Sequence, residues 1–394
     1  MVNEKSLQDK ITSRFGMTQL GVIAQIVEPV SSLLTISDAK EMFDANSELT
    51  SLLVETNSSN GIISKRTIQD KSKTFWDSLK NPTLDHFIDS NIKEFNSREH
   101  ITKVLDVIML SENEEDIYKD FLIYHDGRIL GIGNYLKLVN HITFLQNMEL
   151  NRARSIQQFL LEKSVLSDPG FEYKIHTEMA HELGGDFYKL LEIREDYYMI
   201  GCFDVSGKDI SASLATAILS SCFTTLKMCG NIEEMNAEEI INNLNDVCVY
   251  QTPFDIYIAG IMIFVDKASN TLEIYNLSYT YPYLFKKNEE GNYKLIKLNR
   301  SGKPLGLDND LNLADGKTTS ALNKGMKFFS FSDGFTDIRN KRGEMFGEDR
   351  LEDFIKKNYM FKPDRFISDL LGEVNSYMGG TPQVDDMTTL VLSF

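Results

Sequence analysis

A chain of 394 residues is too long for one ordinary core and points to two or three domains. Its composition, 42% hydrophobic and 25% charged with only 8 prolines, is that of a soluble globular protein. A formal net charge of −17 argues against nucleic-acid binding and against an anionic membrane surface, because both need basic protein surface.

The N-terminal "MVNEKSLQDKITSRF" lacks the apolar centre of a signal peptide. No run approaches the roughly 20 apolar residues that span a bilayer. The cysteines, Cys202, Cys222, Cys229 and Cys248, form no CxxC pair and read as free thiols of a reducing cytosol. A cytoplasmic protein with no membrane and no nucleic-acid partner is expected. The most basic stretch, "FKKNEEGNYKLIKLNR", reads as a solvated hairpin.

Residues 1–140 mix short strands and helices. "SLLVETNSSNGIISKRTIQDKS" reads as strand, turn at Asn60-Gly61, short strand and helix. Trp76, the only tryptophan, reads as helix packing. "KDFLIYHDGRILGIGNYLKLVNHI" repeats the design about 70 residues later: strand Phe121–Tyr124, turn at Asp126-Gly127, short strand, helix from Asn134. Residues 141–165 contain no Gly or Pro, and Leu145, Met148, Ala153, Ile156, Leu160 and Leu161 fall near helical spacing. They predict a linker helix.

From 166 to 394 the pattern is one α/β (α+β) unit. Strands are expected near 171–178, 185–193 and 197–205, then helices over Ile210–Met228 and 237–250. Strands follow near 256–265, 271–277, 281–286 and 293–298, then "MKFFSFSDG". Helices near 349–358 and 363–378 precede a last strand, "MTTLVLSF". Hairpins with paired helices predict packed antiparallel sheets with helices outside them, not a doubly wound sheet.

The acids of this unit sit at strand ends. In "GGDFYKLLEIREDYYMIGCFDVSG" a turn near Glu195 would set Asp186 opposite Asp204. Opposed side chains on antiparallel strands have Cβ atoms about 4.5–5.5 Å apart, so two carboxylates there repel unless a cation lies between them. Asp333 ends "KFFSFSDG", and Asp385 and Asp386 open the last strand. Converging acids with no evident part for His or Cys suit hard cations such as Mg²⁺ and Mn²⁺.

"GGDFYK", "FDVSGKD", "SDGFTD" with "RGEMFGEDRL", and "DDMTTLVL" resemble, in order and spacing, the bacterial SpoIIE-like branch of the metal-dependent protein serine/threonine phosphatases (PPM). The resemblance covers about 150–394 and implies an αββα sandwich. It implies that Asp204 bridges two ions with the Val205 carbonyl as an added ligand, that Asp186 stands beside the second ion and the attacking water, and that Asp333 and Asp385 complete the ligands. The implied catalytic residues are Asp186 and Asp204, and the implied reaction is attack of a metal-bound water on phosphoserine or phosphothreonine. A phosphorylated regulatory protein, such as an anti-sigma-factor antagonist, is the implied substrate. One departure is "YNLSYTYPYL", where Asn276 is kept but Ser278 and Tyr279 replace Gly and His.

Residues 1–140 resemble a divergent tandem cystathionine-β-synthase (CBS) module, which implies an adenine nucleotide or related ligand between its halves, and homodimerisation. In ligand-binding copies Ser or Thr is followed three residues later by Asp. Here Ser64 is followed by Thr67 and Asn134 by Lys137, so a structural role stands beside ligand binding. The expected protein is a regulated phosphatase in signal transduction: module 1–140, helix 141–165, phosphatase domain 166–394. The alternatives are a catalytically silent scaffold and a nucleotide sensor acting by partner binding.

Overall fold

The computed structural model describes residues 10, 12–56, 60–75, 81–89, 91–111, 117–161, 165–181, 183–207, 210–229, 231–252, 256–288, 292–299 and 301–394. Trp76 lies outside them. The chain divides into two compact units, Met1–Glu149 and Leu150–Phe394.

The first unit builds one pattern twice. Its first copy is β1 (Val30–Ser31), α1 (Ile36–Ala45), β2 (Ser51–Glu55), β3 (Asn60–Ser64) and α2 (Lys65–Phe75). Its second is β4 (Glu94–Asn96), α3 (Ile101–Met109), β5 (Phe121–His125), β6 (Arg128–Gly133) and α4 (Tyr135–Leu161), whose part from Leu150 onward belongs to the second unit. In each copy the first two strands pair in parallel and the last two form an antiparallel hairpin. Alternation along β2 and β5 sorts the core. Leu52 and Val54 enter the first copy's core, Phe121 and Ile123 the second's, while Leu53 and Leu122 meet with Ile62 and Ile132 between the two sheets.

Asn60-Gly61 is not the turn that the sequence suggests. Both residues are already in β3, opposite Glu55 and Val54. A Cβ on Gly61 would lie 2.0 Å from Ile88 Cγ2, so this glycine serves close packing. The second hairpin does turn at Asp126-Gly127, with φ of 49° and 77°, as a tight turn matched to strand twist requires. α4 joins the helix expected from Asn134 and the linker helix expected over 141–165 into one continuous helix, Tyr135–Leu161.

The second unit holds two five-stranded antiparallel sheets. Its strands are β7 (Glu172–Glu178), β8 (Phe187–Arg194), β9 (Tyr197–Val205), β10 (Ile258–Asp266), β11 (Thr271–Leu277), β12 (Tyr283–Lys287), β13 (Tyr293–Lys297), β14 (Lys317–Ala321), β15 (Lys327–Phe331) and β16 (Met387–Ser393). One sheet runs β14-β11-β10-β9-β8 and the other β13-β12-β15-β16-β7. Ile200, Ile263 and Ile274 of the first sheet pack against Leu284, Phe328 and Leu390 of the second.

Helices cover both outer faces. α5 (Ile210–Cys229) and α6 (Ala237–Gln251) set Leu219, Phe223, Ile240 and Leu244 against Phe187, Met199 and Phe203. α7 (Gly347–Asn358) and α8 (Pro363–Met378) cover Phe329, Phe331 and Val391 with Phe354, Phe366 and Leu370. The expected αββα order of layers is therefore present.

Two features depart from the sequence reading. β14 was not expected, because "KTTSA" carries no apolar alternation; it is an edge strand, held by its pairing with β11. α5 is long and apolar enough to cross a membrane by length and composition, since its polar positions are Ser and Thr apart from Lys227 in its last turn. Its Ala212, Leu219 and Phe223 lie in the core against the sheet.

Candidate active site

The β8–β9 ladder sets the site. Phe187 pairs with Phe203 and Lys189 with Gly201, so facing residues have numbers that sum to 390, as the sequence suggests. The ladder slips only near the turn, between Glu192 and Arg194. One step beyond its open end stand Asp186 and Asp204, and the Val205 amide donates to the Gly185 carbonyl at 3.3 Å to carry the pairing past them.

Asp186 is 2% exposed and its Oδ2 has no hydrogen-bond partner. Burial, then the Asp204 charge, pushes its carboxyl well above the usual carboxylate range, against the opposing influence of the Thr388 and Ser332 hydroxyls. A buried acceptor without a donor is costly. A cation would remove the repulsion.

The second sheet brings Asp333 and Asp385 to the same end. Asp333 opens a 3-10 turn directly after β15. A Cβ on Gly334 would lie 2.0 Å from the Asp386 carbonyl oxygen and 3.3 Å from that of Asp385, so the turn rests on the start of β16. The Ser332 hydroxyl donates to the Asp386 carbonyl (3.0 Å) and accepts from the Thr388 amide (2.8 Å).

Asp386 joins the two sheets. Its Oδ1 accepts from the Ala180 amide at 2.8 Å, and its Oδ2 from the amides of Gly185 (2.8 Å) and Asp186 (3.3 Å). The sequence marks it only as a second acid beside Asp385. Its use as an acceptor for a segment on the other sheet has no local signal.

Gly184 and Gly185 are required by close approach. A Cβ on Gly184 would stand 2.5 Å from Asp386 Oδ2, and one on Gly185 2.8 Å from the Val205 carbonyl oxygen. Gly207, with φ of 100°, turns the chain away after Val205.

A small polar cleft is lined by His181, Leu183, Gly185, Asp204, Gly207, Asp385 and Asp386. Asp186 is buried and Asp333 is exposed. Among the described residues, no three His, Cys, Asp or Glu side chains stand ready to hold an ion as they are. The donors nonetheless fit a hard divalent cation: they are all oxygens, and they gather at one end of both sheets.

No thiol competes with this chemistry in the interior. Burial pushes the Cys202 thiol far up, with Asp186 adding to the effect, and pushes Cys248 up to about 12.

Gln157 on α4 was missed by the sequence analysis, which marks the apolar residues around it. It is buried, whereas Ile156 and Phe159 are exposed. Its Nε2 donates to the Gly184 carbonyl (2.7 Å) and to Thr216 Oγ1 of α5 (3.0 Å), and its Oε1 accepts from the Gly184 amide (3.4 Å). The helix is thereby bonded to the loop that carries Asp186.

Asn276 organises the crossing from β11 to β12. Its side-chain amide donates to the carbonyls of Thr280 (3.0 Å) and Asn299 (3.2 Å) and its oxygen accepts from the Tyr279 amide (2.8 Å). Ser278 takes a φ of 67°, the left-handed conformation that glycine adopts most easily. It stands where the resembled family has Gly.

Two stacked antiparallel sheets with helices outside, and strand-end acids from both sheets around one cleft, define a PP2C-type phosphatase domain. A family model described as Stage II sporulation protein E (SpoIIE) matches residues 194–394, and the chain belongs to that family. Protein IcfG of Synechocystis sp. is 25% identical over 271 residues, 63% of this chain and 42% of that protein, so the chain spans less than half the length of this curated relative. The solved SiaA-PP2C domain of Pseudomonas aeruginosa has a TM-score of 0.54 at 20% identity, over 64% of this chain and 98% of that one. It shares the fold. The PP2C phosphatase domain of SpoIIE from Bacillus subtilis, solved with a fragment of its regulatory domain, is 17% identical over 57% of this chain and 62% of that one, with a TM-score of 0.44.

Proposed function

We propose that this chain is a Mg²⁺- or Mn²⁺-dependent phosphatase that hydrolyses phosphoserine or phosphothreonine on a regulatory protein. The observation that carries the reading is the register of β8 and β9, which leaves Asp186 and Asp204 side by side at the open end of one ladder. Two divalent ions, when bound, would supply an activated water and neutralise the phosphoryl oxygens.

The chain's own part is to hold and orient. Asp204 and Asp186 offer carboxylates from one sheet and Asp333 and Asp385 from the other. The Val205 carbonyl, left open by Gly185, is a neutral donor beside them. Asp386 fixes the Gly185 and Asp186 amides and is a positioning residue. We place the protein in the cytoplasm.

The first unit supports a regulatory module acting through α4, with homodimerisation as its second role. Its two copies repeat the β-α-β-β-α order of a CBS pair. The would-be ligand positions are used locally: Ser64 Oγ accepts from the Thr67 amide (3.1 Å) and Asn134 Oδ1 from the Lys137 amide (2.8 Å), as helix N-caps do. Lys137 Nζ is held by Gln25 Oε1 at 2.9 Å. These bonds weigh towards a structural module over a nucleotide site. A module that biases the phosphatase needs an effector with unequal affinity for two states. Unchanged activity and effector response after deletion of 1–140 would remove the regulatory role.

The test is hydrolysis of a small aryl phosphate by the full chain with Mn²⁺, with Mg²⁺ and with chelator, beside Asp204→Asn. Metal-dependent turnover that disappears in the variant is expected. Near-normal turnover in Asp204→Asn would overturn the site, and silence in every condition, in the isolated 150–394 unit as well, would favour the scaffold.

A further inference from the structure

The space between the two sheets contains polar atoms that the metal site does not explain. Tyr279 is 3% exposed and belongs to the apolar core with Leu190, Ile200, Cys202 and Phe328, yet its hydroxyl has no hydrogen-bond partner. Phenylalanine would fill the same space without burying an unpaired hydroxyl. Burial raises the Tyr279 phenol, and Asp186, Cys202, Asp204 and Asp333 act in the same direction, Asp186 most among them. The phenol therefore lies within the field of the acid cluster.

Two further atoms share its condition. Asp186 Oδ2 and Ser330 Oγ are both buried and without a partner. Ser330 pairs with Leu390, which lies in the core between the sheets, and it alternates with Phe328 of that core, so it shares the inner face. The chain neighbours of Tyr279 and Ser330 are bonded to each other, Thr280 Oγ1 donating to the Phe331 carbonyl. The Tyr279 amide is fixed to Asn276 Oδ1 at 2.8 Å. Asp186 precedes Phe187, which faces the outer helices, so by alternation it lies on the inner side as well. Two hydroxyls and one carboxylate oxygen are thus buried there without a partner. A water molecule with two or three polar partners is the ordinary occupant of such a place.

We propose that Tyr279 Oη, Ser330 Oγ and Asp186 Oδ2 share one buried water on the inner side of the acid cluster, and that Tyr279 positions the Asp186 carboxylate through it. The water donates one hydrogen to Asp186 and accepts from the phenol, so the carboxylate is held from behind while its other oxygen faces the cleft. The positioning role rests on the metal-site reading above, and the water itself does not.

Two measurements test this on the full chain. A high-resolution crystal structure of the metal-free protein is expected to show a water within hydrogen-bond distance of both Tyr279 Oη and Asp186 Oδ2. A dry region there overturns the proposal. Calorimetric titration of Mn²⁺ is expected to show affinity reduced about 10-fold in Tyr279→Phe, the loss typical of a residue that orients a metal ligand. Ser330→Ala is expected to weaken binding in the same direction, with both variants melting near wild type in chelator. Wild-type binding that neither variant weakens overturns the positioning role alone. A wild-type chain that binds no Mn²⁺ overturns the metal-site reading, and the crystallographic water then decides the remaining half.

Discussion

Asp386 Oδ2 accepts a hydrogen bond from the Gly185 amide at 2.8 Å, across 201 residues of chain. With the Ala180 and Asp186 amides it forms a three-bond clamp between the start of β16 and the loop before β8. Asp386→Ala leaves three amides without their acceptor. Hydrogen bonds to charged groups contribute roughly 1.5–3 kcal/mol each and these three share one acceptor, so a loss of about 3 kcal/mol is expected. Urea denaturation measures it, and a midpoint equal to wild type would refute the clamp.

Gly185→Ala tests the approach of Val205 to the loop. The added methyl would stand 2.8 Å from the Val205 carbonyl oxygen, so backbone must move. Overpacking of this kind costs about 1–3 kcal/mol. Mn²⁺ affinity should fall with stability, because the displaced carbonyl is one of the proposed donors. Unchanged calorimetric affinity would exclude Val205 from the site.

Asp186 gives a pH dependence with a definite sign. Its folded-state carboxyl lies above the ordinary carboxylate value, because of burial first and the Asp204 charge second. The folded metal-free chain therefore keeps this proton to higher pH than the unfolded chain. No stability is lost below the unfolded value; the loss grows as pH rises from there to the folded value, and is complete above it. In chelator, Asp186→Asn should melt higher than wild type at neutral pH and lose that advantage on acidification. Its Mn²⁺ binding should be largely abolished. A variant that melts lower than wild type at neutral pH would contradict the repulsion.

Gln157 supplies a test of the helical connection. Gln157→Leu leaves the Gly184 carbonyl without its 2.7 Å donor in a buried place. A stability loss of about 2 kcal/mol is expected. Metal-dependent turnover should fall about 10- to 100-fold, since small displacements of catalytic groups carry that cost. Full turnover in a folded Gln157→Leu chain would break the link between α4 and the acids.

The strands of the second unit were readable because their apolar runs end in acids and turn residues. The β8–β9 register followed from the polar "REDY" turn alone, and so did the facing of Asp186 and Asp204. β14 was not readable, because "KTTSA" is an edge strand with one partner and little burial. Asn60-Gly61 misled because a glycine needed for packing against Ile88 looks, in sequence, like a glycine needed for a turn.

The sequence by itself determined which acids stand at strand ends, since periodicity and turn chemistry are local properties written into each hairpin. It could not determine what lies behind those acids. The Asp386 clamp, the Gln157 bonds to Gly184, and the unpartnered hydroxyls of Tyr279 and Ser330 depend on which segments the two sheets bring face to face. A side chain's hydrogen-bond partner across some 200 residues is fixed by packing, and only the tertiary structure decides it.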